Sequence, residues 1–300
     1  MEKFDLAIAY TWEYDEDFVH LIEEKCRLAN VTTFLILPHN IDEVTERLRK
    51  RNLHFNFYLD RASDASREFL EAAKIISRRH TYIFNPYKKV QHAIDKASMH
   101  LEFITAGINT PYSIIVPPYC EREEVYISLD DLSILGRPFI IKPCNNTGGG
   151  IGVVTGAESL KEVLEERSNY HEDKYLLQEK IYPRIFDGKR AWFRCFWAFG
   201  KVIPVWWDDL THLYTELTIE EISYFYLKDL FTLTRKIARL TELDFFSTEI
   251  VYSTHDKFVV VDYVNDQCDM RIKSKHFDGV PDSVVEQIVG YMVKQVKKAQ

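Results

Sequence analysis

Pro138 to Val154 reads Pro-Phe-Ile-Ile-Lys-Pro-Cys-Asn-Asn-Thr-Gly-Gly-Gly-Ile-Gly-Val-Val. An apolar run ends on a lysine, passes through glycines and resumes with β-branched residues, so the segment predicts a strand, a loop and a second strand. Glycines let a backbone approach phosphate closely and aim its N–H groups inward. In a P-loop or a dinucleotide fingerprint, however, they open a helix whose N-terminus faces the anion. Here a strand follows, and neither Gly-Lys-Ser/Thr nor a complete G-x-G-x-x-G is present. The order of elements therefore predicts a lid between two strands, mobile until phosphates fill it. Lys142 ends the first strand, where an ammonium beside a half-buried surface is costly unless an anion neutralises it. A phosphate would do so; an ordinary hairpin with a snorkelling lysine is the alternative.

Three hundred residues, 46% hydrophobic and 28% charged, suit two or three packed units. A net charge of −8 argues against nucleic acid as the partner, and Arg47, Arg49, Lys50 and Arg51 read as a solvated helix face. Cysteines 26, 120, 144, 195 and 268 form no C-x-x-C pair, which points to neither a disulfide framework nor a zinc site. No signal peptide opens the chain and no apolar run reaches the length of a membrane span, so a cytoplasmic protein without a membrane partner is expected.

Residues 1–85 alternate strand-like and helical patterns and predict a small α/β unit. They contain no glycine, so this unit carries no phosphate fingerprint and is expected to supply a substrate wall. Asn85-Pro86-Tyr87 reads as a connection, Asp95 to Ala106 as a helix closed by Gly107, and Tyr175 to Ile181 as a strand. Trp192 to Phe199 and Lys201 to Trp207 predict a hairpin about Gly200. Thr218 starts a long amphipathic helix reaching about Leu240. Phe245 to Ser253 and Lys257 to Val264 predict a last hairpin, and Ser283-Val284-Val285-Glu286 a capping box for the terminal helix.

Taken in order, Asp95-Lys96 before a helix ending Ala-Gly-Ile-Asn-Thr-Pro, then Phe-Ile-Ile-Lys142 with its glycine loop, then Leu-Leu-Gln178-Glu179-Lys180-Ile181, resemble the ATP-grasp superfamily. The resemblance covers roughly 86–300. It implies an α/β (α+β) fold of two α+β subdomains clamping ATP, about 110–182 with the glycine-rich lid and about 183–300 with a metal site, behind a small Rossmann-like α/β domain over 1–85. By the same resemblance Lys96 and Lys142 hold phosphates, with the lid glycines Gly148, Gly149 and Gly150. Gln178 and Glu179 to Ile181 are the linker that pairs with adenine, Ile140 gives the ring an apolar face, and Asp187 and Lys189 are expected where the ribose is met. Glu249 and Asp262 with Asn265 hold Mg2+ (or Mn2+). Arg194 and Arg271 aim at the transferred phosphate or a substrate carboxylate.

The residue types suit these roles. Magnesium prefers hard oxygen ligands shared with nucleotide phosphates, and Glu249 and Asp262 both lie within apolar runs, where an acid needs a partner. Arginine donates in a fork that suits a developing anion, although Arg194 lies among Phe193, Phe196 and Trp197, where cation–π packing is the plainer reading. Trp206-Trp207-Asp208-Asp209 suggests either a cationic acceptor site or a packed hairpin end.

Two departures from the family pattern stand out. Its common members place the metal acid and asparagine two apart, whereas Asp262 and Asn265 are three apart and, in a straight strand, on opposite faces. Either a bulge re-aims Asn265 or Asp266 is the ligand instead. Ser247 stands where several ligases of the family carry arginine, which leaves room for a kinase-like member. The resemblance implies an ATP-dependent ligase that activates a carboxylate as an acyl phosphate for attack by an amine or thiol. The acceptor would be an amino acid, a peptide or a related small carboxylate, and a homodimer is compatible. A small-molecule kinase of the inositol-phosphate type is the alternative, and a non-catalytic ATP-binding protein a third.

Overall fold

A computed structural model describes residues 1–145 and 152–298 of the chain. β1 (Glu2–Tyr10), β2 (Thr33–Ile36), β3 (Leu53–Arg61) and β4 (Tyr82–Phe84) alternate with α1 (Glu16–Leu28), α2 (Ile41–Arg49) and α3 (Leu70–Ser77) and form a parallel sheet in the order β2-β1-β3-β4. Leu6, Ala7, Ile8 and Ala9 of central β1 are all fully buried, so that strand is apolar on both faces instead of alternating.

Residues 85–87 do more than connect, because Pro86 opens α4 (Tyr87–Ile94). Proline presets the backbone for a first helical turn and gives up an N–H that would be unpaired there. Asp95 then leaves the helical region, with ψ at 99°, and its side chain accepts from Ser98 N (3.0 Å) to cap α5 (Lys96–Thr105).

A four-stranded antiparallel sheet follows, built from β5 (Ser113–Val116), β6 (Phe139–Pro143), β7 (Val154–Ala157) and β8 (Tyr175–Glu179) in the order β5-β8-β6-β7, with α6 (Leu129–Leu135) and α7 (Leu160–Arg167). Phe139 and Ile141 face a core with Leu135, Val163, Tyr175 and Leu177. Alternation turns Ile140 and Lys142 to the other face. Gly152, where the chain re-emerges from the glycine-rich segment, has φ +73°, and a Cβ there would press to 3.0 Å on both Pro143 and Tyr170. Gly148, Gly149 and Gly150 lie outside the described residues.

After the short hairpin β9 (Ile185–Phe186) and β10 (Lys189–Arg190), a five-stranded antiparallel sheet is made of β11 (Trp192–Ala198), β12 (Lys201–Trp207), β13 (Tyr214–Glu216), β14 (Phe245–Tyr252) and β15 (Phe258–Asn265), in the order β13-β12-β11-β14-β15. The long helix expected from Thr218 is two, α8 (Ile219–Tyr224) and α9 (Lys228–Thr241). The Thr218–Glu221 capping box forms, but Tyr226 takes φ +56° and Leu227 turns into the core, fully buried. The final helix α10 (Asp282–Lys297) lacks the expected Ser283 box. It starts behind Pro281, and the Asp282 side chain accepts from Ser274 N (2.9 Å). α10 packs back against α1, so Val285, Ile288 and Met292 share one core with Leu6, Ile8 and Phe18 of the first sheet. No helix among the described residues is long and apolar enough to cross a membrane.

Candidate active site

The register of the last hairpin sets the geometry. Glu249 on β14 pairs directly with Asp262 on β15, and Ser247 with Asn265. Two residues on one strand thus span three on the other, so β15 bulges between Asp262 and Asn265. Ser247 and Glu249 share a face of β14, and cross-strand partners share a face, so the bulge brings Asn265 round beside both acids. A second bulge lies on the other side of Asp262, because Ile250 pairs with Val260 and leaves Val261 unmatched. Side chains absorb the displaced carbonyls: Lys142 Nζ donates to Val261 O (3.0 Å) and Thr248 Oγ1 to Asp262 O (2.9 Å).

Cations converge on these acids from three elements. Lys142 reaches across from β6, and burial pushes its ammonium below the ordinary lysine range against the pull of Asp262 and Glu249. Burial also opposes the charge on Asp262, yet Lys96 at the start of α5, with Lys142 and Arg194, holds its carboxyl below the usual range. Arg194 on β11 is in register with Glu249 and ion-pairs with it, and Trp192 Nε1 donates to the same carboxylate (3.0 Å). Although burial disfavours the arginine's charge, Glu249 outweighs it and keeps Arg194 more firmly protonated than usual.

The guanidinium of Arg194 also lies 4.6 Å from the Trp207 ring and 6.0 Å from that of Tyr214, so it packs on aromatics of β12 and β13 instead of Phe193, Phe196 or Trp197. Its buried Nε has no hydrogen-bond partner among the described residues, and neither has Ser247 Oγ on the same face. The donors on this face are oxygens, from Glu249, Asp262 and Asn265, which fits magnesium. Among the described residues no group of three or more His, Cys, Asp or Glu side chains gathers as a metal site, so any ion here would take its remaining ligands from phosphate and water.

On β8 the Glu179 N–H is already used, donating to Tyr112 O (2.8 Å), while Glu179 Oε2 accepts from Tyr112 N (3.2 Å). Ile181 packs against Val251, Val259 and Val261 together with Trp192, an apolar patch continuous with Glu249. Lys180 Nζ lies 5.9 Å from the Tyr182 ring, and Ile140 shares the face of Lys142. Gln178 is 1% exposed and its amide is spent on Ser113 and Tyr263, so its side chain is not presented to a nucleotide.

Three other sequence candidates sit differently from expectation. Asp187 is exposed at the tip of the β9–β10 hairpin, where it and Gly188 take φ of 47° and 81°, a turn that favours Asp-Gly for backbone reasons. Arg271 is held by Asp269 (2.7 Å) and Asp278 (3.0 Å), and those bonds, Asp269 first, raise its proton affinity. Asp266 lies toward the end of β3, where burial, with Asp64 adding to it, pushes its carboxyl up to about 6. The Trp206–Asp209 segment is a packed hairpin end: Trp206 is 3% exposed, Asp209 pairs with Arg190, and Asp208 accepts from Leu210 N and Thr211 N (both 2.9 Å). Sequence reasoning missed Thr248 and Trp192; both flank acids or arginines already singled out, which is the signal that could have found them.

Neither a family model nor a curated protein matches the chain. Solved structures do. D-alanine–D-alanine ligase from Bacillus anthracis, complexed with ATP, aligns over 100% of this chain and 99% of its own with a TM-score of 0.65 at 12% identity. A RimK domain ATP-grasp protein from Sphaerobacter thermophilus aligns over 95% and 98%, at 0.62 and 16%. The ATP-grasp ligase PsnB, complexed with the precursor peptide PsnA2 and AMPPNP, aligns over 97% and 99%, at 0.59 and 14%.

Proposed function

For a chain with the ATP-grasp fold, we propose an ATP- and magnesium-dependent ligase that activates a carboxylate as an acyl phosphate and passes it to an amine or thiol. The observation that carries this reading is the convergence of Lys142, Arg194, Glu249 and Asp262 from both antiparallel sheets, with Lys96 close enough to act on Asp262. Magnesium, held by Glu249, Asp262 and Asn265, would screen the nucleotide phosphates from one another. Lys96 and Lys142 neutralise phosphate oxygens from the side of the first sheet. Arg194, fixed by Glu249 and Trp207, offers its free Nε to the negative charge that grows as the carboxylate is phosphorylated. Val251, Val259, Val261 and Ile181 keep water from one side of the cleft.

In this reading ADP and free phosphate appear together and only with the right acceptor. Incubation with ATP, magnesium and a panel of amino acids, peptides and polyols, followed by separate assays for ADP and free phosphate, tests it. ADP without free phosphate, with the phosphate retained on a polyol, would establish the kinase alternative. Binding of ATP with no turnover for any acceptor would leave only a nucleotide-binding protein.

A further inference from the structure

A chain of buried and part-buried hydrogen bonds runs between the two antiparallel sheets. His100 Nδ1 lies 2.6 Å from Tyr263 Oη, Gln178 Nε2 is 2.9 Å from the same hydroxyl and 3.2 Å from Ser113 Oγ, and Ser113 Oγ donates to Pro111 O (3.0 Å). His100, Tyr263 and Gln178 are 4%, 2% and 1% exposed. One proton arrangement satisfies every hydrogen bond just named. Ser113 gives its proton to Pro111, so it accepts from Gln178; the other amide proton goes to Tyr263, and Tyr263 must give its own to His100, which accepts as a neutral imidazole. Burial, which lowers the proton affinity of His100, agrees with that assignment. Turning the Gln178 amide over would set its oxygen against Ser113, which has no proton left to give.

Each member also adjoins a residue of the proposed nucleotide site. Gln178 precedes Glu179 on β8, Tyr263 follows Asp262 on β15, and His100 is four residues after Lys96, on the same face of α5. We propose that His100, Tyr263 and Gln178 are positioning residues that hold the linker, the metal strand and the Lys96 helix at a fixed spacing before nucleotide arrives. The inference rests on the nucleotide reading above and deepens it. Tyr263 is the hub: its ring packs edge-on against Phe103 at 5.1 Å, so the site of the hydroxyl is set by apolar packing and its two bonds reach different elements. Without the hydroxyl, ATP has to impose the spacing itself and binds more weakly for doing so.

The test is titration of ATP with magnesium into the purified full chain, read by calorimetry beside thermal melting without nucleotide. Tyr263→Phe removes one oxygen and keeps the ring. We expect it to raise the dissociation constant about tenfold, the equivalent of one buried hydrogen bond. His100→Leu should do the same, the double variant no more than either alone, and His100→Asn, which keeps an acceptor near the Nδ1 position, should recover the parent affinity. Lowered melting temperature with unchanged affinity in Tyr263→Phe, or failure of His100→Asn to restore what His100→Leu loses, would overturn the inference and leave the nucleotide reading intact. Failure of the unmodified chain to bind ATP would overturn both.

Discussion

Lys142 meets a backbone carbonyl as well as the acids around it. Because its Nζ donates to Val261 O, the carbonyl of a bulged residue, the lysine serves the strand before it serves any phosphate. Lys142→Met keeps the packing stem, so the fold should survive. The orphaned carbonyl should nevertheless cost about 1 to 2 kcal/mol in a denaturant titration, while ATP affinity should fall at least tenfold for want of the charge. Equal ATP binding by parent and variant would show that the lysine meets no phosphate. The bulge likewise separates two neighbouring candidates for the third ligand. Asn265→Ala should cut magnesium-dependent turnover, or magnesium-dependent ATP binding where no acceptor is known, while Asp266→Ala, directed toward Asp64 and Arg61, should leave it near the parent value. The acids were legible in the sequence because carboxylates inside apolar runs need a partner. Which face Asn265 takes was not, since a bulge depends on the neighbouring strand.

At the scale of the element, α5 shows how one residue can end a helix and begin another. Asp95 caps α5 through Ser98 N and pairs with Lys174 (2.7 Å) from the segment before β8. Burial works against its charge, but Lys174 and the Ser98 N–H outweigh that and lower its carboxyl below the usual range. Stabilisation from a lowered carboxyl is complete above its unfolded value near 4 and is lost as pH falls through the lower folded value. Asp95→Asn keeps a capping oxygen and removes the charge; Asp95→Ala removes both. Asn should therefore cost a few tenths of a kcal/mol at neutral pH, since Lys174 is 36% exposed, and Ala about 1 kcal/mol. The deficit of Asn should vanish toward pH 2, and a pH-independent deficit in acid unfolding would assign it to the cap instead. The start of α8 was readable in this way, as Thr218 shows. The break at Tyr226 and the start of α10 were not, because they answer to where Leu227 and the Ser274 backbone lie in space.

Across the whole molecule the first sheet is tied to the loop after β15 through a buried, ion-paired arginine. Arg61, at the end of β3, pairs with Asp15 (2.7 Å, side chains 5% and 3% exposed) and donates to Cys268 O (3.0 Å). Arg61→Met strands Asp15 without a partner and should cost about 3 to 5 kcal/mol in equilibrium unfolding, while Asp15→Asn combined with Arg61→Met should recover part of it. A double variant as unstable as the single would place the loss in the Cys268 contact. No sequence pattern announced this pair, since 46 residues separate its members. The first sheet ends at Phe84, but one apolar cluster runs from Leu6 to Val296 through α1 and α10. That closure has a consequence for the order of synthesis. The first sheet carries an apolar face whose cover includes α10 and residues of β11, β12 and β14, so on the ribosome that face waits, uncovered, until α10 has been made.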